Sequence, residues 1–167
     1  MPFSFLPSVM VTSVTKIDPA FLKSRGIELL MLDFDKTIVP YTTNAPTADM
    51  ELWIKCMLRV GVRLCVVSNS RKDRVKVFCR KYGLPCITHA KKPFSKGIRE
   101  CLEQFAMESA QCAIAGDQIF TDTLGGNCAG LQTILVKPIH NHNFWLKARH
   151  VLEKPFIFAA RKRRVSL

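Results

Sequence analysis

The stretch "LLMLDFDKTIVP", Leu29 to Pro40, decides the fold. Leu29 to Leu32 and Phe34 are apolar without alternation, which suits a strand covered on both faces. Two carboxylates, Asp33 and Asp35, interrupt the run where it should close, and Thr37 follows two positions later. Carboxylates at the mouth of a core need a reason.

Working outward, strand-like and helix-like runs alternate. "IELLMLDF" is followed by "TADMELWIKCMLRVG", which puts Leu52, Trp53, Cys56, Met57 and Val60 on one helical stripe, with Thr47 as N-cap and Gly61 as the stop. "RLCVVS" is the second strand. In "RKDRVKVFCRKYG", Val75, Phe78, Cys79 and Tyr82 recur at helical spacing up to Gly83. "PCIT" is a short third strand, "FSKGIRECLEQFAM" the next helix and "CAIAGD" the fourth strand. "TDTLGGNCAG" is a short glycine-rich helix and "LQTILV" the fifth strand. Strict alternation implies right-handed crossovers, hence an α/β fold with a five-stranded parallel sheet and helices on both faces. Ligands of such sheets sit at the carboxyl ends of the strands. Asp33 and Asp35 close strand one, Ser68 strand two and Asp117 strand four, so these residues are expected in one crevice.

Composition sets the frame. The 167 residues are 48% hydrophobic and 23% charged, close to the globular average, so wholesale disorder is excluded. Seven cysteines are spread singly with no CxxC pair, which points to a reducing compartment. No apolar run reaches the roughly 20 residues needed to span a bilayer. The first sixteen residues lack both a basic region before a long apolar core and any arginine, so neither a secretory nor a transit signal is expected. The net charge of +12 is concentrated: residues 59–99 carry twelve Lys/Arg against one acid, Asp73, and residues 147–167 carry seven against one, Glu153. That pattern calls for an anionic partner: a phosphate ester, an anionic membrane or nucleic acid.

Paired strand-end carboxylates have a definite chemistry available. One attacks phosphorus and forms an aspartyl-phosphate; the other protonates the leaving oxygen and then activates water. Charge on the transferred phosphoryl calls for a lysine and a cation nearby, and carboxylates are hard oxygen donors suited to Mg2+. The bland alternative makes Asp33 and Asp35 turn carboxylates, Asp117 part of a Gly-Asp turn, and Lys92 one solvated cation among twelve. "GGNCAG" could cradle a phosphate, but it lacks the P-loop lysine and is better explained by close helix–sheet packing. His89, His140, His142 and His150 show no metal-ligand spacing with the cysteines.

The ordered set "DFDKT", "VVSNS", "AKKP" and "GDQIFTD" resembles the haloacid dehalogenase-like (HAD) phosphatases, subfamily IIIA. "RGIELLMLDFDKTIVP", "GVRLCVVSNS" and "GDQIFTDTLGGNCAGLQTILVKP" resemble in particular their YqeG-type branch, which includes phosphatidylglycerophosphate phosphatases. The resemblance implies a Rossmann-like fold with Asp33 as nucleophile and Asp35 as general acid/base. It implies Ser68 and Lys92 as further catalytic groups, and Thr37, Ser68, Asn69 and Lys92 as the substrate-binding set. For Mg2+ it implies Asp33, Asp35 through its main-chain carbonyl, Asp117 and Asp122. Lys36 departs from the asparagine common there, and "SNS" from "SNN".

Members of the superfamily often carry a cap domain, but neither "IVPYTTNAP" nor the interval from Ser68 to Lys92 leaves room for one. We expect a capless phosphatase domain over 1–140 and a basic, aromatic helical tail over 141–167, with Phe144, Trp145, Phe156, Ile157 and Phe158 among lysines and arginines. Such a tail suits an anionic bilayer surface, or packs on the sheet. The leading expectation is therefore Mg2+-dependent hydrolysis of phosphatidylglycerophosphate at a membrane surface, on the cytoplasmic inner face or in a mitochondrial matrix. The alternatives are a phosphatase for a soluble metabolite or phosphoprotein, and a basic module for RNA or ribosome assembly. Nucleic acid is disfavoured because the cationic band lacks interleaved stacking aromatics.

Overall fold

The computed structural model describes residues 4–40, 43, 45–139 and 155–159. Six parallel strands form one sheet: β1 (Val9–Val11), β2 (Leu29–Leu32), β3 (Arg63–Val67), β4 (Cys86–Ile87), β5 (Cys112–Gly116) and β6 (Gln132–Val136), in the order β1-β6-β5-β2-β3-β4. The parallel α/β expectation holds, with one correction: the sheet has six strands, not five. β1 is three residues long and shows no repeat of its own. Only its pairing with β6, Val9 opposite Ile134 and Val11 opposite Val136, makes it a strand.

β2 lies between β3 and β5, with Leu32 opposite both Val66 and Ala115. Its side chains alternate between two cores. Leu30 and Leu32 join Leu64, Val66, Ala113 and Ala115 under one helical layer, while Leu29 and Met31 join Cys65, Val67, Cys112 and Ile114 under the other. Burial on both faces is why this strand reads as an unbroken apolar run.

The first layer holds α2 (Ala48–Arg59) and α3 (Arg74–Tyr82), with α1 (Pro19–Ser24) beside them. Asp18 caps α1 by accepting from the Phe21 amide at 2.6 Å, with Pro19 in the first turn, and Thr47 caps α2 through the Met50 amide at 3.3 Å. The predicted stripe on α2 is only partly right. Met50, Trp53, Ile54 and Met57 face the core, whereas Leu52 and Val60 are 65% and 54% exposed and Cys56 faces solvent. Two apolar lines share Trp53 and Met57, and the one completed by Met50 and Ile54 at i, i+3, i+4, i+7 faces the core, where Trp53 also donates to the Ile17 carbonyl at 2.7 Å. On α3, Val75, Phe78 and Cys79 are buried and Tyr82 packs against them, as the spacing predicts.

The opposite layer holds α4 (Lys96–Phe105) and α5 (Leu124–Ala129). A π-helical turn, Ile119–Thr123, leads from β5 into α5. A Cβ on Gly126 would collide with the γ-methyls of Ile114 and Thr133, so the glycine-rich segment serves close packing on β5 and β6. Among the described residues no connection carries an inserted domain, and no helix is long and apolar enough to cross a membrane. Most of the predicted tail, including Phe144 and Trp145, lies outside the described residues. Its helical turn at 155–159 is described, and there Phe156 packs on Phe5 and Phe120 with ring centroids 5.0 and 6.1 Å away.

Candidate active site

Every expected residue lies at the carboxyl edge of the sheet or in the loops leaving it. Asp33 follows β2, and its amide donates to the Ala115 carbonyl on β5 at 2.9 Å. Asp117 follows β5. Asp122 rides on the π-helical turn, where its carboxylate accepts from the Gln118 amide at 3.2 Å. Gly116 makes that turn fit, because any Cβ there would strike the Asp122 carboxyl group. The three aspartates are buried, and each offers an oxygen within 4.8 Å of the others'.

Lys92 closes the cluster from the loop after β4. Its Nζ lies 2.7 Å from Asp33 Oδ1 and 2.6 Å from Asp122 Oδ1, with the side chain 1% exposed. Its backbone is clamped by Asn69, which donates to the Lys92 carbonyl at 2.8 Å and accepts from the Lys92 amide at 2.7 Å. Asn69 follows the buried Ser68, whose hydroxyl oxygen accepts from the Ser70 amide at 3.1 Å. The bland reading of Lys92 as a solvated cation is thus excluded.

The loop after β2 is tied to itself. The Ile38 and Val39 amides donate to the Phe34 carbonyl at 3.1 and 3.2 Å, and the Lys36 amide donates to the Val39 carbonyl at 2.8 Å. Thr37 is fully buried inside this turn. Lys36 takes a left-handed conformation, φ 67°, and is itself buried with its charge near Asp117. The Asp35 carboxylate stands apart from the other three. It pairs with Arg74 on the first turn of α3 at 3.1 Å, so any contribution it makes to a metal would come from its main chain.

Arg74 is the residue that sequence reasoning missed. It also donates to the Pro40 carbonyl at 3.3 Å and lies 5.1 Å from the Phe34 ring centroid. Its only signal was its place at the start of a helix following a site strand.

The electrostatics are those of a site with too much buried negative charge. Burial pushes the Asp33 carboxyl up from 3.8 to about 7, with Lys92 opposing and Asp122 reinforcing. Burial likewise raises Asp117 well above 3.8, helped by Asp33 and Asp122 and opposed by Lys36. Burial works against the Lys92 ammonium, but Asp122 and Asp33 outweigh it and hold the lysine charged. A divalent cation bound by three carboxylate oxygens would relieve this excess, and an all-oxygen donor set fits a hard ion. The residues present therefore fit a divalent metal.

Three chain segments, leaving β2, β4 and β5, deliver three aspartates and a lysine to one edge of a Rossmann-like sheet that carries no inserted cap among the described residues, and this arrangement defines a haloacid dehalogenase-like hydrolase. The fold is shared with 2-haloacid dehalogenase from Pseudomonas syringae pv. Tomato DC3000, at a TM-score of 0.52 and 12% identity over 65% of this chain and 86% of that one. A family model described as mitochondrial PGP phosphatase matches residues 1–140, and the chain belongs to that family. It is 35% identical over 135 residues to the probable phosphatase YqeG of Bacillus subtilis (strain 168), covering 81% of this chain and 78% of that protein. Phosphatidylglycerophosphate phosphatase 1, chloroplastic/mitochondrial, of Arabidopsis thaliana is 27% identical over 143 residues, 80% of this chain but 41% of that longer protein. The chain is thus a HAD-type phosphatase.

Proposed function

We propose that this phosphatase hydrolyses phosphatidylglycerophosphate at an anionic membrane surface, with Mg2+ as its ion. The observation that carries the reading is the meeting of Asp33, Asp117 and Asp122 around Lys92 at an uncapped strand edge. Asp33 is the nucleophile: its carboxylate oxygen bonds to phosphorus and the ester oxygen leaves. Asp35 gives that oxygen a proton and then takes one from the water that cleaves the aspartyl-phosphate. Ser68 and Asn69 hold phosphoryl oxygens with Lys92, which also keeps Asp33 aligned, and buried Thr37 fixes the turn that follows Asp35. Asp33, Asp117, Asp122 and the Asp35 carbonyl would hold Mg2+, which when bound supplies charge neutralisation for the phosphoryl group.

The lipid part of the reading is supported by three things. A capless crevice admits a headgroup presented on a large surface. The tail helix leans through Phe156 on Phe120, a neighbour of Asp122, and leaves Phe158 71% exposed. Each basic residue near an anionic bilayer contributes on the order of 1 kcal/mol, and residues 147–167 carry seven of them. We take 1–140 as the catalytic unit and 141–167 as its membrane-facing extension.

The test is phosphate release from the lipid in anionic vesicles and from a panel of soluble esters, with Mg2+ and with chelator. Mg2+-dependent turnover of the lipid is expected, and Asp33→Asn should lower it by about a thousandfold or more. Efficient turnover of soluble esters alone, with no sedimentation on anionic vesicles, would remove the lipid substrate. Full activity in Asp33→Asn would remove the mechanism.

A further inference from the structure

We propose that a basic pocket beside the active site binds a second anionic group of the substrate, so that the preferred ester carries another phosphate one short bridge from the phosphoryl it loses. This rests on the phosphatase reading above and identifies Arg71, His89 and Lys91, which share a wall with Asn69 of the reacting centre, as residues that select the substrate.

The pocket has a volume of about 490 Å3 and is lined by Asn69, Arg71, His89 and Lys91. That volume lies in the range of small-molecule sites. Two segments build it, one leaving β3 and one leaving β4, and they are stitched together: the Ala90 amide donates to the Ser68 carbonyl at 3.0 Å and the His89 amide to the Ser70 carbonyl at 3.4 Å. The wall is joined to the site by the Asn69–Lys92 clamp. Along both segments burial alternates. Ser68 and Lys92 are buried in the reacting centre, while their neighbours Asn69 and Lys91 are exposed and line the pocket. On each segment the pocket thus begins one residue from the reacting centre, with Asn69 hydrogen-bonded to the Lys92 main chain.

Its charge is uncompensated. No acidic residue lines it, and among the described residues none of Arg71, His89 and Lys91 forms an ion pair. A guanidinium, an ammonium, an imidazole and a carboxamide converging on one concavity suit a phosphate oxygen set. The backbone adds a second sign. His89 and Lys91 stand at φ 55° and 54°, a conformation that costs energy for residues with a Cβ. Such strain persists where the surroundings impose it, and here it fixes the loop that carries both Lys91 and Lys92. A concavity with two full cations fits one phosphate better than the extended track a nucleic acid would need.

The test compares three substrates in the presence of Mg2+: glycerol 3-phosphate, the soluble bisphosphate glycerophosphoglycerol phosphate, and its diacyl form in phosphatidylcholine vesicles with and without anionic lipid. Wild-type protein should prefer the soluble bisphosphate over glycerol 3-phosphate in kcat/KM. Arg71→Gln/Lys91→Gln should lower that preference about tenfold, and Arg71→Glu/Lys91→Glu should lower it further. All four substitutions fall on exposed side chains, so folding is checked simply by circular dichroism. Calorimetric affinities for the corresponding phosphonate analogue should follow the same ranking without turnover. No preference in the wild type, or an unchanged preference in the double variants, overturns the subsite. So does an effect confined to vesicles containing anionic lipid, which would assign the two cations to the bilayer. An active Asp33→Asn protein would sink the nucleophile instead, and the analogue affinities would still decide the pocket.

Discussion

The guanidinium of Arg74 lies 3.1 Å from the Asp35 carboxylate, bridging the first turn of α3 and the loop that leaves β2. The arginine side chain is 13% exposed and also touches Pro40 and Phe34, so it holds both the loop and one carboxylate rotamer.

If Asp35 delivers the leaving-group proton, Arg74 aims it. Arg74→Ala should lower kcat on an alkyl phosphate by about tenfold, and markedly less on an aryl phosphate whose leaving oxygen needs no proton. Arg74→Lys should recover little, because one ammonium cannot reproduce the planar fork. Paired kcat and KM values on the two esters check this, and equal losses on both would count against an aiming role.

Stability without metal should fall as pH rises. The Asp33 carboxyl is raised in the folded state, so the native protein binds more protons than the unfolded chain between 3.8 and about 7. Its contribution is therefore most favourable below 3.8 and is lost progressively up to about 7, and Asp117 acts in the same direction. Thermal melts in chelator should show this slope. Saturating Mg2+ should flatten it, and Asp33→Asn should raise the metal-free melting temperature above pH 7. A metal-free melting temperature that climbs across this window would contradict the assignment.

Lys92 is the only cation within ion-pair distance of Asp33 and Asp122 among the described residues. Lys92→Met keeps most of the volume and leaves both carboxylates without their partner. Breaking a buried pair in this way costs about 3–5 kcal/mol, and the melting temperature at neutral pH should drop accordingly. Added Mg2+ should restore part of the loss. An unchanged melting temperature would mean that the pair is not formed in solution.

Gly116→Ala places a methyl where the Asp122 carboxyl group now sits. Overpacking of this kind costs about 1–3 kcal/mol, and the relief available is a displaced Asp122. Calorimetric titration with Mg2+ should show weakened binding well beyond that of a surface control such as Lys55→Ala. Binding equal to wild type would show that Asp122 is not needed for the ion.

The strand ends were legible for a physical reason. A parallel strand buried on both faces has no alternation, so a carboxylate or hydroxyl closing such a run, as at Asp33, Ser68 and Asp117, stands out against it. β1 offered no such contrast, since three residues become a strand only through β6. The face of α2 was half legible, because the sequence shows two apolar lines that share Trp53 and Met57, and only the packing of Met50 and Ile54 on the core chooses between them. Lys92 could be picked out by "AKKP" following the short strand that became β4, and Lys36 by its departure from the family pattern. Arg74 could not, being one of twelve cations in its band. The excess of negative charge was equally hidden, because it depends on how deeply the three aspartates are sunk.

The placing of β2 between β3 and β5 has a consequence for synthesis on the ribosome. Leu29–Leu32 is wholly apolar, yet its second neighbour is complete only at Gly116. Until that point has emerged, the nascent chain presents an open, sticky edge to whatever else is nearby. Chaperone demand should therefore peak in the middle of translation and fall once β5 docks.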